Sequence, residues 1–210
     1  MDRNEVNWPV EFSEIISCDR CVKLIFRNIL RDGIKNVPQS GFIGKRYHEK
    51  KILLVRQNPG VSNCNLAVKD RVYTAALRRV HDDMSDESFT HLLEVLENFI
   101  PSWPVHGNYL PLQEPGLALD QIAYFNLVRC RTEKNSPPSM PMASECANKH
   151  FTRWLDSLIA SAMVFMGKWA CDRGNDRGIP NNFMNRHRSR LTSERVENRL
   201  EMVSLIQSNT

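Results

Sequence analysis

Four cysteines stand where they could share one centre. Cys18 and Cys21 form a C-x2-C pair near the start of the chain, and Cys130 and Cys146 lie sixteen positions apart much further along. Thiolates from two distant segments suit an iron–sulfur cluster or a structural zinc. Spacing does not separate the two, because both accept four thiolates, and buried, unligated thiols share the same spacing. Cys64 and Cys171 have no paired neighbour and read as small core residues. A second set of groups carries amides and an imidazole. Gln57-Asn58-Pro59-Gly60 is a turn after an apolar run. Asn126 falls within the end of another apolar run, and His187-Arg188-Ser189-Arg190-Leu191 is an Arg-rich segment with one histidine.

These groups need elements to position them. Residues 11–30 predict a helix, with Phe12, Ile15, Ile16, Leu24, Ile25 and Phe26 at roughly helical spacing, so that Cys18 and Cys21 share it. A stretch punctuated by Gly and Pro follows to Gly44. Residues 51–55 predict a buried strand that stops at Asn58-Pro59-Gly60. Residues 70–80 and 86–100 read as helices, the second closed by Pro101 and Pro104. Residues 122–128 predict a second strand, 131–141 a polar loop, 143–160 a helix and 163–166 a third strand. Residues 173–182 read as loop, a fourth strand is expected near Phe183 and Met184, and 192–207 predicts the last helix.

Alternating strands and helices predict an α/β fold. The expected form is a three-layer α/β/α sandwich on a short, mainly parallel, four-stranded sheet, as one domain over residues 1–210. Sites in such sheets lie beyond the carboxyl ends of the strands, where Gln57, Asn58 and Asn126 fall. Lys and Arg number 28 against 24 Asp and Glu, a mildly basic balance that permits a nucleic-acid partner without demanding one. No stretch is apolar enough for a membrane span, and residues 1–9 do not resemble a secretory signal. An intracellular, cytoplasmic or nucleoid-associated monomer is expected, with its cysteines reduced.

Two segments carry a resemblance. Cys18-Asp-Arg-Cys21-Val-Lys-Leu24, with Arg27, resembles the C-x2-C-x2-L segment of iron–sulfur uracil-DNA glycosylases. Asn126-Leu-Val-Arg-Cys130-Arg131, followed by Pro137-Pro138 and Cys146, resembles their N-x-V-K-C-R-P-P segment. Arg56-Gln57-Asn58-Pro59-Gly60 is similar to the superfamily's turn after its first strand, with Arg56 in place of a leading Gly. His187-Arg188-Ser189-Arg190-Leu191 resembles H-P-S-P-L with both prolines replaced by arginine.

The resemblance implies a DNA glycosylase that hydrolyses the N-glycosidic bond of uracil or a related deaminated base, with a 4Fe–4S cluster, rather than zinc, on Cys18, Cys21, Cys130 and Cys146. It implies that Asn58 orients water, that His187 stabilises the departing base, and that Gln57 and Asn126 bind the base. Arg188, Ser189, Arg190 and Leu191 would contact DNA that carries the damaged base, Leu191 filling the space of the flipped nucleotide. No aromatic follows the turn in residues 61–69, so Tyr73, Trp103 and Tyr109 are the candidates to stack on the base. The altered motifs leave two other readings open: a non-catalytic DNA-binding module on this fold, and a zinc-stabilised protein of unrelated function.

Overall fold

The computed structural model describes residues 14–26, 28–29, 38–59, 64–99, 117–166 and 168–175, together with 201, 203–204 and 207–208. The chain divides into two compact units that interleave along the sequence. Met1–Gly41, Gln57–Val95 and Asn126–Leu158 form the first; Phe42–Arg56, Leu96–Phe125 and Ile159–Thr210 form the second.

The second unit holds the sheet. Its strands are β1 (Phe42–Ile43), β2 (Ile52–Arg56), β3 (Ile122–Asn126) and β4 (Ala162–Phe165), in the order β1-β3-β2-β4. β2 and β4 run parallel, from Ile52 opposite Ala162 to Val55 opposite Phe165. β1 lies antiparallel on β3, Phe42 opposite Tyr124, with their rings stacked at 6.3 Å. Side chains alternate between faces along a strand, yet Ile52 to Val55 and Ile122 to Phe125 are all buried. The sheet is therefore covered on both faces, the condition of an α/β/α sandwich. Gly44 follows β1, its amide bonded to Ile122 O at 2.8 Å; a Cβ there would lie 2.0 Å from Asp120 O, so only glycine fits.

The fourth strand differs from expectation in place. β1 lies inside the stretch read as punctuation, because Gly41, at φ 80°, turns the chain into a two-residue edge pairing too short to leave a periodic signal. Phe183 and Met184 lie outside the described residues, as does most of the expected C-terminal helix.

The helices of the first unit also depart from the simple pattern. Between residues 14 and 26 the backbone is helical at 14–16 and again in α1 (Arg20–Lys23), with a break at 17–19. Cys18 precedes α1 and Cys21 lies within it. Ile25 has φ 53°, and Leu24 and Ile25 are exposed, so their spacing did not mark one buried face. Further on, α2 (Cys64–Asp83) and α3 (Asp86–Phe99) match the two expected helices, the first with extra turns. Ser85 caps α3 by accepting from the Ser88 amide at 3.1 Å.

The helix expected at 143–160 begins earlier. α4 (Met140–Cys146) has Pro141 in its first turn, where a missing N–H costs nothing. A π-helical turn, Ala147–Phe151, then leads into α5 (Thr152–Leu158), and Thr152 Oγ1 donates back to Ala147 O at 3.3 Å. Among the described residues no helix is long and apolar enough to cross a membrane.

Candidate functional site

β2 and β3 are neighbours in the sheet, and the turns that leave them stay together: Val128 N donates to Gln57 O at 3.0 Å. Gln57 and Asn58 follow β2 and are half-buried. Asn126 ends β3 and is 2% exposed, and its Oδ1 meets no hydrogen-bond donor among the described residues. A buried amide oxygen left unpaired costs about 1–3 kcal/mol. It is the kind of group that a ligand's N–H would satisfy.

Asn58 is held at one end of its amide. Its Nδ2 donates to Pro59 O and to Thr132 Oγ1, each at 3.1 Å. Thr132 is fully buried, and its own hydroxyl donates to Ser136 O at 2.5 Å. The loop that carries Thr132 is clamped by the segment after α1. Ile29 bridges Thr132 in antiparallel fashion, Glu133 N donates to Asn28 O at 2.9 Å, and Asn28 Nδ2 donates to Pro137 O at 2.6 Å.

The four cysteines meet. Cys18, Cys21, Cys130 and Cys146 line one small cavity of about 10 Å³ together with Arg129, Lys149 and His150. The expected cluster does not follow. Among the described residues no group of three or more His, Cys, Asp or Glu is placed to hold a metal ion. Cys21 shares thiol hydrogen bonds with Cys130 and Cys146. Cys146 Sγ accepts from Arg129 N at 3.2 Å, and Cys18 Sγ accepts from Lys149 Nζ at 3.5 Å.

In these surroundings Cys21 and Cys146 hold their protons more strongly than free thiols do. The bond to Cys130, reinforced by burial, pushes the Cys21 thiol up to about 12. The bond to Cys21 and then burial raise the Cys146 thiol well above its ordinary value. A cavity of that volume holds about one water, far less than a cluster. Both the 4Fe–4S cluster and the zinc alternative are therefore corrected. The thiols join α1 to the end of α4 as a packed, hydrogen-bonded group, beside the ion pair of Arg20 with Glu145.

The two arginines flanking Cys130 are buried rather than turned to solvent. Arg129 is 1% exposed, donates from Nη1 to Ser40 O at 2.7 Å, and lies 5.3 Å over the Trp154 ring. Arg131 is buried too. His150, in the π-helical turn, is 3% exposed; burial, and then the charges of Arg129, Lys149 and Arg153, push it down to about 3. Tyr73 is buried in the core, while Trp103 and Tyr109 lie outside the described residues, as do His187, Arg188, Ser189, Arg190 and Leu191.

Thr132, Ser136 and Asn28 escaped the sequence reading. Their one signal is local: Thr132 stands two positions after Cys130, where the segment it resembles carries proline. No protein-family model matches the chain, and no curated protein matches it significantly.

Proposed function

We propose that this chain is a DNA glycosylase of the uracil-DNA glycosylase kind, hydrolysing the N-glycosidic bond of uracil or a related deaminated base in DNA. The observation that carries the reading is the pair of amides at adjoining strand ends. Asn126 keeps a buried Oδ1 that meets no donor among the described residues, and Asn58 has Nδ2 tied back so that its Oδ1 is left to accept. Uracil's pairing edge offers an N–H beside a carbonyl, which matches an amide's acceptor and donor; cytosine offers the opposite order. The base reaches such groups only when flipped from the stack.

Cleavage builds positive charge on the sugar and negative charge on the leaving base. Asn58 Oδ1 accepts a hydrogen from water and aims its oxygen at the sugar carbon, a positioning role rather than that of a strong base. In the resemblance, His187 donates to the base carbonyl as charge develops there. The test is single-turnover base release from single- and double-stranded oligonucleotides containing uracil, hypoxanthine or xanthine. The wild type is expected to release at least one of them, and Asn58→Ala to be slower by about 100-fold. Release of none, with DNA still bound, would replace this reading with the binding-module reading.

A further inference from the structure

We propose that Thr132 is a positioning residue for Asn58, setting which end of the amide faces the water. The inference rests on the glycosylase reading for its catalytic consequence, but its geometry stands on the hydrogen bonds alone. An asparagine amide can be turned over with little change in shape, exchanging a donor for an acceptor. At Asn58 the choice is forced. Pro59 O has no proton to give. Thr132 Oγ1 has one, and it is committed to Ser136 O at 2.5 Å. Thr132 can therefore only accept from Asn58, so both partners demand the NH2 end, and both of its protons are used.

The acceptor oxygen of this half-buried residue is thereby turned away from Pro59 O and Thr132 Oγ1. Thr132 is fully buried and held by the bridge to Ile29, so it is fixed independently of Asn58. Reversing the amide would set Oδ1 against two acceptor oxygens and offer water a donor where an acceptor is needed.

The experiment compares Thr132→Val, which keeps the shape and removes the acceptor, with Thr132→Ser, which keeps the acceptor. Thr132→Val is expected to slow single-turnover base release by about 100-fold while DNA affinity changes less than about twofold, and Thr132→Ser to restore release to near the wild-type rate. In the unmodified protein, NMR is expected to show a nuclear Overhauser contact from the Asn58 Nδ2 protons to the Thr132 side chain and slow exchange of those protons with solvent. Asn58→Ala serves to assign that signal.

Thr132→Val as fast as wild type, with Asn58→Ala still slow, overturns the proposal and leaves the glycosylase reading standing. If the wild type releases no base, the glycosylase reading fails, and the NMR arm decides the amide's orientation by itself. If Thr132→Val does not fold, the same spectrum of the wild type decides. An Asn58 signal with no contact to Thr132 and with the exchange of a free amide overturns the proposal in either case.

Discussion

Asn126 buries a polar atom at the end of an apolar strand. Its Oδ1 is buried at the end of β3 without a donor among the described residues, an arrangement that costs stability unless a partner is supplied. A group retained at the expense of stability points to binding rather than packing. Asn126→Leu, close in volume, is accordingly expected to unfold at a urea midpoint no lower than that of the wild type, while uracil release falls by at least about tenfold and preference over other bases is lost. A lowered midpoint with unchanged preference would make Asn126 a structural residue. Asn58 is the complementary case, since both protons of its Nδ2 are satisfied and its importance is directional. The cysteines differ again. Their residue types suggested ligation, but among the described residues they form no metal-holding group, and hydrogen bonds and burial raise the Cys21 and Cys146 thiols.

At the scale of elements, the segment 28–29 links the two ends of the candidate site's support. It follows α1, which carries Cys21, and it clamps the loop that carries Thr132. Asn28 supplies backbone and side chain to that clamp through Glu133 N and Pro137 O. Asn28→Ala removes the side-chain bond, with an expected loss of about 1 kcal/mol in stability. Base release is expected to slow by more than that loss explains, because the loop under Asn58 loosens. Urea unfolding and single-turnover kinetics on the same variant separate the two effects. The break before α1 was hidden from periodicity because Leu24 and Ile25 mimic an apolar face while being exposed. β2, β3 and β4 were visible because each is a short, fully apolar run between breaking residues.

For the molecule as a whole, buried His150 couples stability to pH. Its folded value is depressed to about 3 from 6.5, by burial first and then by Arg129, Lys149 and Arg153. Below 6.5 the unfolded chain takes up a proton that the folded chain refuses. Stability is therefore fully present above that pH and falls as pH drops toward 3, by about 1.4 kcal/mol per pH unit from this group. Denaturant unfolding between pH 7 and pH 4 is expected to show this slope and His150→Gln to flatten it; equal slopes in the two proteins would refute the assignment. On the glycosylase reading, DNA affinity is the other global property. Replacing Arg188 and Arg190 together with alanine is expected to weaken binding and reduce the slope of log affinity against log salt by about one to two. An unchanged slope would place those arginines away from phosphate.

Sequence alone determined the α/β class and three of the four strands. It also marked the positions of Asn58 and Asn126, because hydrophobic period and turn chemistry act over a few residues and leave local marks. It also singled out the four cysteines that line one cavity. Only tertiary structure decided how those residues are partnered. The raised Cys21 thiol depends on which sulfurs and which buried surfaces meet across more than 100 residues of chain. The donor that Asn126 lacks among the described residues, and the single proton on Thr132 that orients Asn58, are likewise set by partners distant in sequence. Spacing names the groups that can do chemistry, but the hydrogen-bond partners, assigned only when the chain closes, determine which atom of each group is left to do it.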